Sequence, residues 1–151
     1  MQIFWKYIDK RQAAVNALKD RPYMEFILAN TEKEIQEAYD SLTDLRSVNL
    51  EKVSSSHGPH SSEDRIIGVL ERIDLKKERY AEAKEYMAWF LPAWNALNEE
   101  DQWILDTYYG QDHEYGDNVA DEISEHFNIE RSSAYRRKNR ALERLTMLLY
   151  G

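Results

Sequence analysis

"EISEHFNIERSSAYRRKNRALERL", residues 122–145, decides how this chain folds. Ile123 and Phe127 are four residues apart, so they share one face of a short helix. "FNI", residues 127–129, then makes a tight corner: Asn128 tolerates left-handed backbone, and Ile129 offers an apolar side chain to plug the bend. A second helix is expected from about Glu130 toward Leu149, with Ala134, Ala141, Leu142, Leu145 and Leu148 or Leu149 on its inward side. Ala134 is small enough to keep the crossing of the two helices close. Short helix, turn and longer helix together form a helix-turn-helix, whose second helix stands out far enough to enter a DNA major groove.

Charge supports the same reading. Residues 131–151 hold six Lys/Arg (Arg131, Arg136, Arg137, Lys138, Arg140 and Arg144) against Glu143 alone, a net +5. The other 130 residues carry −13 of a chain total of −8, and residues 98–130 contain eleven Asp/Glu with no Lys or Arg. Such segregation suits an anionic partner. A solvated basic face that merely balances its acidic neighbours is the competing reading.

Working outward, residues 1–20 place Phe4, Ile8, Val15 and Leu18 on one side of an amphipathic helix, interrupted by Arg11 and ended by Arg21 and Pro22. "TEKE", residues 31–34, has the pattern of a capping box and predicts a second helix start. Ile35, Ala38, Leu42 and Leu45 then form the narrow stripe of a helix that pairs with another helix, fading after Val48. "SSSHGPHSS", residues 54–62, reads as a flexible loop. Beyond it Ile66, Leu70, Ile73, Tyr80, Met87, Leu91 and Trp94 mark a long helix, interrupted by Lys77 and Lys84 and kinked at Pro92. The two stripes predict a helical hairpin whose seam closes within the chain or across a dimer.

Asn98 offers a fresh helix start, with Glu99, Glu100 and Asp101 at the positive end of its dipole, and Gly110 a stop. "GQDHEYGDN", residues 110–118, reads as loop, and the short helix comes next over about 118–126 with Val119 and Ala120 beside Ile123. Trp89, Phe90, Trp94 and Trp103 are expected to pack together near the hinge between the long helix and the helix-turn-helix domain. The fold class is therefore all-α: a helical, coiled-coil-like assembly region over 1–97 and a helix-turn-helix domain over 98–151.

Several function classes fall away. With 151 residues and no cysteine, disulfides and thiolate metal sites are excluded. The N-terminal residues lack a secretory signal and no apolar run reaches the roughly 20 residues of a membrane span, which predicts a cytoplasmic protein with no membrane contact. His57, His60, His113 and His126 lack a ligand-like arrangement, so no metal or other cofactor is expected. The carboxylate pairs are helix-start residues, and no catalytic constellation emerges; the chain reads as a non-enzyme.

The quoted stretch resembles region four of sigma-70-class factors, in which the recognition helix closes on an Ala-Leu-x-x-Leu motif, here Ala141, Leu142 and Leu145. "SSAYRRKNRALERL", residues 132–145, is still more similar to the ArpU-type late transcriptional regulators of phages of Gram-positive bacteria, whose layout of helical first half, loop, long helix and sigma-like C-terminal domain this chain shares. The motif likeness covers about residues 97–149, a third of the chain. Three positions depart from the pattern: Asn128 replaces the usual turn glycine, Glu130 stands where Ser or Thr commonly caps, and Arg137 replaces an apolar residue. Arg137 requires either a rotated helix or a side chain that snorkels outward.

The resemblance implies that Arg131, Ser132, Ser133, Tyr135 and Arg136 face DNA, and helix geometry adds Arg140, one turn beyond Arg136. Arg131 and Arg136 would read guanine or grip phosphate, with Ser132 and Ser133 making phosphate or water-mediated contacts. The expected function is a sequence-specific, double-stranded-DNA-binding transcriptional regulator of phage type, dimerising through residues 1–97. Two alternatives stand beside it: a helical adaptor whose hairpin binds a protein, and a sigma-like factor that contacts core RNA polymerase.

Overall fold

Asp9 closes the N-terminal end of the first helix: its Oδ1 accepts from Gln12 N at 3.1 Å and its carbonyl from Ala13 N at 3.0 Å. Helix α1 then runs unbroken over Lys10–Glu51 and α2 over Ser62–Ala96. Three shorter helices follow among the described residues: α3 over Glu99–Tyr109, α4 over Asp117–Phe127 and α5 over Arg131–Tyr150. The computed structural model describes residues 8–51, 62–110 and 117–151, among which the chain is all-α, a helical hairpin followed by a helix-turn-helix. Phe4, most of the loop expected at 54–62 and most of that at 110–118 lie outside the described residues.

The first helix departs from its expected form at two places. Neither Arg21-Pro22 nor the Thr31-x-x-Glu34 pattern interrupts it. Tertiary contacts override both local signals. The Arg21 guanidinium lies 4.4 Å from the Trp94 ring centroid and pairs with Asp106 at 3.3 Å, and Pro22 is exposed, on the side where water can satisfy the carbonyl its ring frees. Thr31 is buried, and Glu34 reaches Lys76 Nζ at 2.6 Å across the hairpin. Neither residue caps anything; both belong to the seam.

Two compact units divide the chain: Met1–Met24 with Tyr86–Gly151, and Glu25–Glu85. The division expected at 97/98 thus falls inside the first unit. Within Glu25–Glu85 the helices run antiparallel, Glu32 meeting Tyr80, Glu34 meeting Lys76 and Tyr39 meeting Lys77. Leu42, Val69 and Ile73 form its buried core, flanked by Ile35, Ala38, Leu45 and Ile66. Leu70 is exposed and Val69 takes its place, because the seam of α2 advances by strict three-four steps through Ile66, Val69, Ile73, Lys76 and Tyr80. The same steps continue into the other unit, where Phe90, not Leu91, is fully buried.

The first unit has two hydrophobic clusters. In one, Ala14, Ala17 and Leu18 of α1 and Phe90, Ala93 and Trp94 of α2 pack with Leu105, Ala141, Leu142 and Leu145. The ends of both long helices are therefore part of the body that carries the helix-turn-helix. Phe90 and Trp94 stack at 5.8 Å, as expected for the aromatic group at the hinge. Trp89 does not join them: it is exposed and meets Tyr150 at 5.6 Å, while Trp103 belongs to the second cluster.

Candidate nucleic-acid interface

Asn98 caps α3 through a hydrogen bond accepted by Oδ1 from Asp101 N at 2.8 Å. The helix ends at Gly110, whose N–H bonds the Asp106 carbonyl at 2.9 Å. A Cβ there would lie 2.6 Å from that same oxygen, so close approach and not positive φ requires the glycine. On the far side of α3, Ile104 packs with Val119 and Ile123 of α4 and Ala134 of α5 to form the second cluster, covered by Trp103, Phe127 and Ile129. Ala134 is buried where α4 and α5 meet, as its size demanded.

The turn between α4 and α5 is a Schellman motif. Asn128 has φ of 52°, its N–H bonds the Glu125 carbonyl at 3.3 Å, and Ile129 N bonds the Ser124 carbonyl at 3.0 Å. The Ser124 hydroxyl donates to the Ile129 carbonyl, tying the corner from the other direction. Ile129 joins Ile123 in the same cluster, the apolar contact that accompanies such a turn. Glu130 occupies the cap position of α5 without a side-chain hydrogen bond, so the first-turn N–H groups of α5 have no side-chain cap.

Ala134, Ala141, Leu142 and Leu145 bury one side of α5. At about 100° per residue, Ser132, Arg136 and Arg140 occupy the opposite side, and all three are exposed. Among the described residues, neither Arg136 nor Arg140 makes an ion pair. Ser133 is half-buried on one flank. Tyr135 is half-buried on the other, and Arg131 stands about 140° around the helix from Arg136, pairing with Asp121 of α4 at 3.7 Å. The six expected site residues therefore divide: three share the outward face, Ser133 and Tyr135 flank it, and Arg131 lies round the helix toward α4.

The remaining basic residues of α5 have distinct environments. Arg137 keeps its position by snorkelling, its guanidinium 4.6 Å from the Phe127 centroid. Lys138 turns inward, with Nζ 4.4 Å from the Tyr108 centroid and 6.0 Å from those of Tyr109 and Tyr135. Burial, and secondarily the Arg11 charge, lower its pKa. Arg144 pairs with Asp101 of α3 at 2.5 Å. Sequence reasoning singled out Arg137 but took Lys138 and Arg144 only as part of the basic run, because their partners, Tyr108 and Asp101, are far away in the chain. Arg11 reaches Asn139 Oδ1 at 2.6 Å, so the residue that breaks the first apolar stripe fastens α1 to α5.

Among the described residues no three His, Cys, Asp or Glu side chains are grouped to hold a metal, and no helix is long and apolar enough to cross a membrane. His126 stacks flat on Trp103 at 3.9 Å; His57, His60 and His113 lie outside the described residues. Comparison with known protein families, with curated proteins and with solved structures returns no match.

Proposed function

We propose that the protein is a DNA-binding transcriptional regulator of the ArpU type that inserts α5 into the major groove of duplex DNA. The observation that carries this reading is the outward face of α5, where Ser132, Arg136 and Arg140 are exposed opposite the side that buries Ala134, Ala141, Leu142 and Leu145. The uncapped N-terminus of α5 supports it, since orphan N–H groups at a helix start favour phosphate oxygens. The acidic remainder of the chain limits indiscriminate attachment to nucleic acid. Selection of bound duplexes from a random pool, followed by a salt series on the enriched sequence, tests the reading. An enriched motif whose affinity falls with salt is expected; a pool that never enriches would turn attention to a helical adaptor or to a factor held by core RNA polymerase.

We further propose that Glu25–Glu85 pairs with a second copy of itself. Among the described residues of this unit, Leu42, Val69 and Ile73 are its buried large apolar side chains, yet Phe26, Ile67, Leu70 and Leu75 are exposed. Two helices make one seam, and a second hairpin would add the apolar cover that a four-helix bundle supplies. A symmetric dimer would also present two recognition helices to successive major grooves. Light scattering of the full chain tests it, a monomer at tens of micromolar being the contrary result.

A further inference from the structure

A cleft of about 240 Å³ opens between the start of α3 and the outer flank of α5, lined by Asn98, Glu100 and Asp101 on one side and Arg137, Arg140 and Arg144 on the other. We infer that this cleft seats a phosphate of the DNA backbone, a contact beyond those expected from the sequence and one that rests on the DNA-binding reading.

Its three guanidiniums are held in different ways that suit this task. Arg144 is fastened through Nη1 to Asp101, a carboxylate that is itself buried, which leaves its other N–H groups unspent. Arg137 lies over the Phe127 ring, and a guanidinium held by its face still has its edge donors available. Arg140 has no ion-pair partner among the described residues. Two of the three are thus oriented by contacts already made, so less side-chain freedom is lost when an anion arrives. Asn98 uses its Oδ1 for the α3 cap, and its amide NH2 remains a donor. The positive end of the α3 dipole adds to the field, while Glu100 and Asp101 offset two of the three arginine charges.

That partial offset argues for a diester on a polyanion over a free, more highly charged phosphate. One phosphodiester brings a single negative charge, which matches the net +1 of the five ionised side chains lining the cleft. Arg140 lies one helical turn beyond Arg136 and belongs to both the outward face and the cleft. A strand running past the outward face would meet the cleft at its edge. The contact would position α5 on the duplex without reading sequence.

The experiment uses the full chain with the duplex enriched from the random pool and an unrelated duplex, and measures affinity over a salt series for the wild type, Arg137→Gln, Arg140→Gln and, as control, Arg72→Gln in the other unit. Each cleft substitution is expected to reduce the slope of log affinity against log salt by about 0.9 on both duplexes, with Arg72→Gln unchanged. Arg137→Lys, which keeps the charge, should recover most of the slope. Wild-type binding with unaltered slopes in both cleft variants overturns the cleft and leaves the DNA reading intact. No wild-type binding to any duplex overturns both. Should Arg137→Gln fail to fold, Glu100→Gln, off the outward face, carries the test: removing a cleft carboxylate should strengthen binding to both duplexes, and unchanged affinity overturns the cleft. Inorganic phosphate titrated against arginine side-chain NMR signals distinguishes the source: saturation at low millimolar without DNA would reassign the cleft to a free anion.

Discussion

Arg144 reaches from the fourth turn of α5 to Asp101 in the first turn of α3, the arginine half-exposed and the carboxylate only 8% exposed. Asp101 is thereby held from two directions, since its backbone N–H is bonded by Asn98. Arg144→Ala leaves a buried carboxylate with fewer donors. We expect a loss of about 1–2 kcal/mol, the lower part of the range for charged hydrogen bonds because water screens the open side. Urea unfolding measures it, and a loss within experimental scatter would show that solvent replaces the arginine.

Asn128, at φ of 52°, makes the turn of the helix-turn-helix. Asn128→Gly is expected to fold with near wild-type stability, because glycine reaches that conformation freely. Asn128→Val should cost about 1–2 kcal/mol, the penalty for a β-branched residue in the left-handed region. Equal thermal midpoints for the two variants would contradict a left-handed residue at this corner.

Arg136→Ala is expected to weaken binding to the selected duplex by about 1–3 kcal/mol while leaving unfolding unchanged, since exposed helix arginines contribute little to stability. Arg72→Ala, on α2, is the matched control. Equal losses in both would mean that net charge, and not this face of α5, governs binding.

Burial raises the Tyr109 phenol to about 12, with Tyr108 adding to the shift and Arg11 opposing it. The folded chain then retains a proton that the unfolded chain releases around the ordinary value of 10.0. Between those values the unfolded state binds fewer protons, so this contribution is intact below about pH 10 and stability declines as pH rises toward 12. Lys138, whose pKa is lowered by burial, works in the opposite sense as pH approaches its unfolded value of 10.5. Tyr109→Phe should flatten the alkaline decline seen in urea midpoints at about pH 9 to 11. A decline of undiminished slope in that variant would assign it to other groups.

Ile67 and Leu70 are exposed on α2 within Glu25–Glu85. If this surface joins two copies, Ile67→Asp with Leu70→Asp should give a monomer by light scattering and retain full helicity, because neither side chain contributes to the buried seam. A fragment beginning at Ala96 should not substitute for the hairpin-free protein: it lacks Ala14, Leu18, Phe90 and Trp94, which cover Leu142 and Leu145, and is expected to aggregate.

How much was legible depends on how local each signal is. The Schellman turn, the Asn98 cap and the stop at Gly110 are set within a few residues of backbone, and each was readable from residue type. Pro22 and the Thr31-x-x-Glu34 pattern carried equally local signals that misled, because Trp94, Asp106 and Lys76 reward a continuous helix from far along the chain. On the outward face of α5, Arg136 came from the family resemblance and helix geometry added Arg140. Arg131 was grouped with them by the family resemblance, although five residues of helix carry it to another side. Lys138 turning inward among tyrosines, and the arginine cleft, arise only where α3 and α5 meet, which no single stretch of sequence records.

Ala14 and Leu18 share a cluster with Leu142 and Leu145, so the body bearing the helix-turn-helix is stitched from the two ends of the chain. During synthesis the residues of Glu25–Glu85 emerge early and find partners nearby, whereas the other unit must wait for α5 before its core can close. A polypeptide released early, short of Leu142, would leave Ala14, Leu18, Phe90 and Trp94 uncovered and open to proteolysis. Quality control is in this sense written into the topology: only a chain that extends through α5 can close this core.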